Sequence, residues 1–339
     1  MSIRNKLDKK LLQVLNGKAV STPPFWFMRQ AGRYMPEYRA LREKAGSFLN
    51  LCMNPEYAAE VTLQPIRKFD MDAAILFADI LLIPMALGVD LKFETGEGPI
   101  LGKFAIENLK FDETKLHPVY ETLKLVSTQL SNQTTTLIGF AGSPWTVATY
   151  IIEGGSSKNF AKVKKMAICD PDEFQILIDI LVDATTKYLI SQIEVGAEVI
   201  QLFDSWAGEL TVEEFDKWVI KPTAKITSAI KKRHPDIKII GFPRRAHFML
   251  IEYAEKAGVD AISVDSTTRL DWAFDNMKGI IQGNLDPAIL FSDKVCIKRE
   301  TEKILKAAEG KPFIFNLGHG ILPETPMENV EYLCNILRK

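Results

Sequence analysis

The fold of this chain is decided by the stretch Thr136-Leu137-Ile138-Gly139-Phe140-Ala141-Gly142-Ser143-Pro144-Trp145. Its first half is a short apolar run rich in β-branched and aromatic residues, which predicts a buried strand over Thr136 to Phe140. Gly142 then predicts a tight turn, with Ser143 as the N-cap and Pro144 as the first residue of a helix. A strand followed directly by a helix is one βα unit, the building block of parallel sheets.

The same pattern, a short apolar run followed by Gly, Pro, Asp or Ser and then by a stretch with helical period, recurs along the chain. Eight strands are predicted in total: Pro24 to Met28, Asp72 to Phe77, Thr136 to Phe140, Glu198 to Phe203, Ile237 to Phe242, Ala261 to Asp265, Gly279 to Gly283 and Phe313 to Leu317. Eight such units predict an α/β fold, a single (β/α)8 TIM barrel formed by one domain over residues 1–339. A doubly wound open sheet is the alternative, but the G-x-G-x-x-G turn typical of that fold does not follow the first strand.

Composition excludes several classes of function. The 339 residues are 47% hydrophobic and 25% charged, which is typical of a globular protein. The formal net charge is −1, so no global field favours nucleic acid or an anionic membrane as a partner. The longest apolar stretch, Ala73 to Val89, contains Asp79 and Pro84 and falls short of the roughly 20 residues that a membrane-spanning helix needs. An acidic ligand must therefore be bound by a local cluster of basic residues.

The cysteines and histidines give no metal-binding pattern. Cys52, Cys169, Cys296 and Cys334 are far apart and form no C-x-x-C pair, and the four histidines are equally scattered. No H-E-x-x-H, phosphate-binding P-loop or G-x-S-x-G motif occurs. We therefore expect a cytoplasmic protein without a disulfide framework and without a metal site.

The N-terminal residues predict an amphipathic helix. Leu7, Leu11, Leu12 and Leu15 recur at helical spacing among charged residues, without the uninterrupted apolar core of a signal peptide. We expect this helix to be solvated.

In a parallel barrel the chemistry lies on the loops that leave the C-terminal ends of the strands. The polar residues just after the predicted strand ends are therefore the candidates for a site: Arg29, Arg33, Asp79, Ser143, Asp204, Ser205, Arg244, Ser266, Asn284 and His319.

The first of these loops, Met28-Arg29-Gln30-Ala31-Gly32-Arg33-Tyr34, carries two guanidinium groups four residues apart. Arginine binds carboxylate or phosphate with a planar fork, and Gly32 allows the backbone to approach a ligand closely. From Arg29 to Lys44 the net charge is +3 in an almost neutral chain. This predicts an anion-binding segment; the alternative is a solvated surface with ordinary ion pairs.

Asp79 and His319 are the other two informative positions. Asp79 interrupts an apolar run at a strand end, so its carboxylate needs N–H donors or a cation, unless it caps the next helix. His319 lies between Gly318 and Gly320 after the last strand, which favours a ligand contact. The roles of two further residues stay open at this point. Tyr150 is equally explained as a core residue, and Ser205 as a turn-capping hydroxyl.

Long motifs add a resemblance to a known family. Phe25 to Arg39 resembles the first signature of the uroporphyrinogen decarboxylase family, and Gly139 to Gly154 resembles the second. Shorter matches are Phe77 to Leu81, Gln282 to Pro287 and Phe315 to Gly320. The chain departs from the family at Arg245, because the family more often has glycine after the basic residue of this loop.

The resemblance implies a cofactor-independent enzyme of haem biosynthesis, a cytoplasmic homodimer that decarboxylates the small molecule uroporphyrinogen to coproporphyrinogen. Asp79, Arg29 and His319 are implied as catalytic residues, with Asp79 accepting the pyrrole N–H bonds and stabilising positive charge. The implied substrate-binding residues are Arg29, Gln30, Ala31, Gly32, Arg33, Arg42, Asp79, Tyr150, Ser205 and His319. The proton donor stays open among Arg29, His319 and a bound water.

Two alternatives remain at the level of sequence. One is a barrel methyltransferase that uses zinc thiolates, although the four cysteines miss the strand ends where this chemistry would need them. The other is a catalytically silent tetrapyrrole-binding protein with the same pocket.

Overall fold

The apolar runs of the sequence form one parallel sheet in the computed structural model, which describes residues 9–94 and 98–339. Its seven strands are paired in the order in which they occur along the chain, and every neighbouring pair is parallel. The strands are β1 (Ala73–Ile75), β4 (Thr136–Gly142), β5 (Val199–Asp204), β6 (Lys238–Pro243), β7 (Ala261–Ser263), β8 (Ile280–Leu285) and β9 (Phe313–Leu317). The predicted α/β class is confirmed. The antiparallel pair β2 (Leu91–Glu94) and β3 (Gly98–Leu101) was not predicted.

Helices connect these strands and cover the outside of the sheet. They are α1 (Lys10–Leu15), α2 (Pro36–Ala45), α3 (Phe48–Met53), α4 (Pro55–Phe69), α5 (Leu82–Ala86), α6 (His117–Gln129), α7 (Pro144–Glu153), α8 (Ala161–Cys169), α9 (Pro171–Glu194), α10 (Val212–Phe215), α11 (Lys221–Arg233), α12 (Leu250–Lys256), α13 (Leu270–Asn276), α14 (Lys294–Ala307) and α15 (Met327–Leu337).

The first predicted strand, 24–28, differs from the prediction because it is not a regular strand. It lies between the two edge strands of the sheet and forms a single parallel bridge, from Phe25 to Phe315. The Phe315 N–H donates to the carbonyl of Pro24 (2.9 Å), and the Asp72 N–H donates to the carbonyl of Phe25 (3.0 Å). The Trp26 N–H also donates to the carbonyl of Phe315 (3.4 Å), so the backbone of the segment is bonded to both edges of the sheet near Phe25.

Side chains replace the missing ladder further along this segment. The Phe27 N–H donates to Gln30 Oε1 (3.2 Å), and Gln30 Nε2 donates to the carbonyl of Ala73 (3.2 Å) on β1. The Met28 N–H donates to Asn316 Oδ1 (3.0 Å) on β9. These amides satisfy the N–H groups of Phe27 and Met28 at the point where the chain leaves the sheet direction and turns at Arg29.

The interior of the sheet is closed at its N-terminal side by helix α1. Leu11, Val14 and Leu15 are buried against the inward-facing side chains of the strands and of segment 24–28, a cluster that contains Trp26, Met28, Ala73, Ile138, Val199, Ile240, Phe242, Ala261, Ile280 and Ile314. The expectation of a solvated helix is therefore wrong for its apolar face. Leu7, which belongs to the same predicted pattern, lies outside the described residues.

Lys9 anchors this helix through a buried ion pair. Its Nζ donates to Glu198 Oε2 (2.6 Å) and to the carbonyl of Thr135 (2.7 Å), and the side chain is fully buried. Glu198 Oε2 also accepts the N–H of Leu137 (3.0 Å). A buried ion pair of this kind fixes position because neither charge can return to water.

We expect Lys9→Met to lower the free energy of unfolding by about 3–5 kcal/mol, because it leaves the Glu198 carboxylate buried without a cation. Urea unfolding followed by circular dichroism measures this. Lys10→Met, at the exposed neighbouring position, is the matched control. A double variant Lys9→Met, Glu198→Gln should recover much of the loss. An unchanged midpoint in Lys9→Met would show that the pair contributes nothing to stability.

Candidate active site

The candidate site lies at the C-terminal ends of the strands, where the structure brings together Arg29, Asp79, Tyr150 and His319. The Arg29 side chain packs on Gly320, where an added Cβ would come within 2.4 Å of Arg29 Cδ. The positive charge of Arg29 lowers the pKa of both Asp79 and His319. Burial raises the pKa of Tyr150, and the negative charge of Asp79 raises it further. Loops from opposite parts of the sheet therefore converge on one mouth.

Asp79 is a partly buried carboxylate with one free oxygen. Its Oδ1 accepts the N–H of Leu81 (2.8 Å), a turn that precedes helix α5, whose N-cap is Leu81. Asp79 thus makes one bond of the kind a cap makes, to the turn that leads into the helix, while the N-cap position itself is Leu81. Across the described residues Oδ2 has no hydrogen-bond partner. Burial raises the pKa of Asp79 to about 6, although the Leu81 N–H and Arg29 oppose this.

The arginines of the basic segment have no carboxylate partners. In residues 9–94 and 98–339 no Asp or Glu oxygen lies within 4 Å of the guanidinium of Arg29, Arg33 or Arg42, and Glu37 pairs with Lys68 instead (2.7 Å). Ordinary ion pairs therefore do not account for these three arginines, whereas the exposed Arg33 still fits the alternative of a solvated surface. Unpaired forks at a strand-end loop remain available for an anionic ligand.

Tyr38 lies between the strand ends on one side and Arg33 and Arg42 on the other. Its ring packs edge-on against Phe77, just after β1, with 5.8 Å between the ring centroids. Burial raises the pKa of Tyr38 to about 12, and the charges of Arg42 and Arg33 oppose this rise. Burial and the charge of Asp79 raise the pKa of the Cys52 thiol, and the charge of Arg42 lowers it. Arg42 therefore lies near the side of the mouth that holds Asp79.

Gln30, Ala31 and Gly32 have different roles in the geometry. The Gln30 side chain is buried in the bonds to segment 24–28 described above, and its carbonyl accepts the hydroxyl of Tyr34 (2.6 Å). The N–H groups of Ala31 and Gly32 have no acceptor within the described part of the chain. A ligand can therefore contact these residues through the backbone, whereas Gln30 holds the loop in place.

His319 is a neutral imidazole. Burial, Arg244 and Arg29 lower its pKa to about 3, in that order of importance. Its ring lies 6.4 Å from that of Phe242 at the end of β6. Burial and these two arginines therefore favour the neutral form of the ring, in which one nitrogen donates and the other accepts a hydrogen bond.

Ser205 lies on a loop that is held from both sides. The Trp206 N–H donates to Thr146 Oγ1 (3.1 Å), and that hydroxyl donates to Asp204 Oδ1 (2.5 Å). Trp145 Nε1 donates to the Trp206 carbonyl (3.0 Å). Ser205 itself makes no capping bond to the short helix that follows, which argues against the turn-capping explanation. Sequence reasoning missed Thr146 and Trp206, because partners about 60 residues apart leave no local signal.

The other strand-end candidates hold loops together. Ser143 occupies the predicted N-cap position of α7, but its hydroxyl makes no capping bond, which is a correction to the sequence prediction. Asn284 Nδ2 donates to the carbonyls of Asp265 (2.9 Å) and Thr268 (2.6 Å). Ser266 packs against Gly318, where an added Cβ would come within 2.3 Å of its Oγ.

No metal centre is formed by the residues that the structure describes. No three His, Cys, Asp or Glu side chains among them group closely enough to hold a metal ion. All four cysteines are free thiols: Cys52 and Cys334 are buried, Cys169 is exposed and Cys296 is partly exposed. This donor set does not fit a zinc-thiolate methyltransferase. Likewise, none of the described helices is long and apolar enough to cross a membrane.

Fold and candidate site together define an α/β enzyme of the TIM-barrel type with a basic mouth. Residues 6–339 match the family model "Uroporphyrinogen decarboxylase (URO-D)", and the chain belongs to this family. Curated relatives named "Uroporphyrinogen decarboxylase" include one from Jannaschia sp. (strain CCS1), 50% identical over 97% of this chain and 98% of the relative. Another, from Rhodospirillum rubrum, is 47% identical over 100% of this chain and 99% of the relative.

Solved structures show the same fold at low sequence identity. A methyltransferase from Methanosarcina mazei is 21% identical with a TM-score of 0.80, and the match covers 98% of both chains. A putative vitamin-B12 independent methionine synthase from Listeria monocytogenes has a TM-score of 0.57 at 14% identity, covering 94% of this chain and 98% of that one. These likenesses concern the fold alone.

Proposed function

We propose that this protein decarboxylates uroporphyrinogen, converting its four acetate side chains to methyl groups and releasing four CO₂. The observation that carries this is the free Oδ2 of Asp79 beside arginines that have no carboxylate partner. A substrate with four pyrrole N–H donors at its centre and eight carboxylates at its edge matches both features. The membership in the family, with relatives about half identical over nearly the whole chain, supports the same activity.

The chemistry needs the substrate, these side chains and a source of protons. Protonation of a pyrrole carbon gives an iminium-like ring, the bond from the acetate CH₂ to its carboxylate breaks, and its electron pair flows into the ring as CO₂ leaves. A proton then adds to the methylene carbon, and the ring loses the first proton. The balance for each acetate is the loss of CO₂ and the gain of one proton. The protein supplies orientation and a negative charge next to the cation.

The residues divide into two groups in this proposal. Asp79 accepts the pyrrole N–H bonds and stabilises the cationic ring, while Arg29, Arg33 and Arg42 bind carboxylates together with the backbone N–H groups of Ala31 and Gly32. Gln30 contributes by holding this loop. Tyr150, Ser205 and His319 provide the remaining polar contacts, His319 as a neutral hydrogen-bonding partner. The proton comes from a bound water or from Arg29.

We also infer that the chain forms one domain and works as a homodimer in the cytoplasm, as the family resemblance implies. Sedimentation velocity at micromolar concentration tests the assembly. A single species with the mass of one chain would contradict it.

Product analysis tests the function directly. The protein is passed over a desalting column, treated with a metal chelator and incubated without oxygen with uroporphyrinogen, and the oxidised products are analysed by mass spectrometry. We expect four methyl groups and four intact propionates. The bond that breaks in a propionate lies one methylene further from the ring and is insulated from it.

Binding without CO₂ release would favour the silent tetrapyrrole-binding protein, and vinyl groups or more than four CO₂ would contradict this mechanism. Activity that returns only with added zinc would contradict the metal-free proposal.

The pH profile should report the ionisation of Asp79. Its carboxylate must be charged to stabilise the ring, and its pKa in the free protein is about 6. We expect kcat/KM to fall below about pH 6, approaching tenfold for each pH unit, because kcat/KM follows the free enzyme. Asp204, whose pKa burial raises to about 7, is the control: Asp204→Asn should leave this limb near pH 6. A limb that disappears in Asp204→Asn would assign it to Asp204.

A further inference from the structure

Arg244 is a partly buried cation whose guanidinium has no ion-pair or hydrogen-bond partner among the described residues. It directly follows strand β6, and no carboxylate oxygen within the described ranges lies within 4 Å of its guanidinium, nor does any acceptor bind it. Burial, Arg245 and Arg29 lower its pKa, against the opposing charges of Asp265 and Glu209. A desolvated charge among like charges is unfavourable unless an anion arrives to bind it.

The backbone around Arg244 is fixed by neighbouring loops. Its N–H donates to the carbonyl of Asp204 (3.0 Å), and its carbonyl accepts the N–H of Gly208 (3.0 Å). The next N–H, that of Arg245, donates to Asp265 Oδ2 (2.5 Å). Arg244 is therefore held from both adjacent strand-end loops, after β5 and after β7, which gives its side chain a defined origin.

The residue after Arg244 adopts a conformation that side chains rarely accept. Arg245 has φ of +59°, in the left-handed region that favours glycine, as the family's more frequent glycine at this position would suggest. An added Cβ on Gly208 would come within 2.2 Å of the Arg245 carbonyl oxygen. The loop keeps its left-handed turn despite the bulkier residue, and such enforced conformations concentrate at functional sites.

The position of Arg244 within the mouth indicates which part of a ligand it meets. The ring of His319 lies 6.4 Å from that of Phe242, two residues before Arg244, and Arg29 packs on Gly320, the residue after His319. The charges of Arg244 and Arg29 both lower the pKa of His319, in agreement with this placement. Arg29 in turn is the arginine whose charge lowers the pKa of Asp79. Across the mouth, Arg29 therefore lies next to Asp79, and Arg244 and His319 lie beyond Arg29. If Asp79 takes the centre of the macrocycle, Arg244 faces its periphery.

We propose that Arg244 binds a peripheral carboxylate of the substrate, a propionate that does not react, and so determines how the macrocycle is oriented. This inference rests on the proposed function. A propionate reaches further from the ring than an acetate by one methylene, and it persists through every step of the reaction. The guanidinium fork, held beside the neutral ring of His319, can take such a carboxylate with two parallel hydrogen bonds.

The test uses two ligands that differ in their acetates. We expect Arg244→Gln to raise KM for uroporphyrinogen about tenfold with kcat changed by less than about twofold, as the loss of a charge-assisted contact predicts. The inhibition constant of coproporphyrinogen, which has propionates and no acetates, should rise by the same factor. Arg245→Gly is the matched control: it removes the adjacent charge, suits the left-handed backbone, and should leave both constants unchanged.

Several outcomes would overturn the proposal. Unchanged KM and product inhibition in a folded Arg244→Gln protein would mean that Arg244 contacts no substrate. Equal effects in Arg244→Gln and Arg245→Gly would indicate a long-range field. A raised KM with unchanged product inhibition would assign Arg244 to an acetate. Circular dichroism melts establish that each variant is folded. If the parent protein releases no CO₂, the proposed function itself fails, which product analysis reveals before any variant is made.

Discussion

Asp79→Asn is expected to lower kcat/KM at least a hundredfold while the protein stays folded. The amide has the size of the carboxylate and can still accept the Leu81 N–H, so the turn before α5 survives. The charge that stabilises the cationic ring is lost, and removing one such preorganised group typically costs about 10²–10³ in rate. Steady-state kinetics under anaerobic conditions measure the effect. Asp79→Glu keeps the charge but moves it by one methylene, so it should also be impaired.

The stability of the same variant gives an independent result. The pKa of Asp79 in the folded protein, about 6, lies above its unfolded value of about 3.9. The folded state therefore holds the proton more tightly, and ionisation destabilises it progressively from about pH 4 to about pH 6 and fully above that. At pH 7 Asp79→Asn should raise the free energy of unfolding by on the order of 2 kcal/mol. Near pH 4 this gain should vanish.

Urea unfolding at both pH values checks this sign. A variant with parent-like kcat/KM and parent-like stability at pH 7 would mean that Asp79 serves only the turn. A variant that is inactive and less stable at pH 7 would show that the folded protein stabilises the ionised carboxylate, against the direction given by its burial.

Arg29→Lys is the second large effect that we expect, a loss of at least tenfold in kcat/KM. Lysine keeps the charge but is a point-like ammonium that cannot bind a carboxylate with two parallel bonds. The position of Arg29 is also defined by the structure, because its side chain packs on Gly320 and its backbone has φ of +57°. The same change at Arg33, across the turn, should be impaired for the same reason.

Two further variants separate fork geometry from charge. Gly320→Ala places a methyl group where Arg29 Cδ now lies, so it should displace the guanidinium and lower activity although no charge changes. Arg39→Lys is the control within the basic segment, because the Arg39 side chain already donates to the carbonyl of Arg33 (2.8 Å). If Arg29→Lys matches the parent enzyme, the long-range field matters and the fork does not.

Much of the fold could be predicted from local sequence. Apolar runs such as Thr136 to Phe140 and Phe313 to Leu317 became strands because both faces of a parallel strand are buried, so the run itself carries the signal. The candidate site followed from one rule of topology. In a parallel sheet the C-terminal ends of the strands meet at one edge, so Asp79 and His319 were expected together although 240 residues separate them.

The tertiary structure decided what depends on distant partners. Segment 24–28 has a strand-like sequence but is bonded by Gln30 and Asn316 in place of a regular ladder. Helix α1 has the pattern of a surface helix, yet its apolar face closes the sheet interior, because Leu11, Val14 and Leu15 pack there against the apolar cluster of the strands and segment 24–28.

For the chemistry of the site, too, the sequence determined one part and the tertiary structure the other. The sequence by itself determined which ionisable groups stand at the strand ends, because that depends on residue type and strand position. Only the folded protein decided their state: the arginines without carboxylate partners, the neutral ring of His319, and the raised pKa of Asp79. The physical reason is that desolvation and charge–charge interactions depend on distances between loops, and these distances exist only after the strands have assembled.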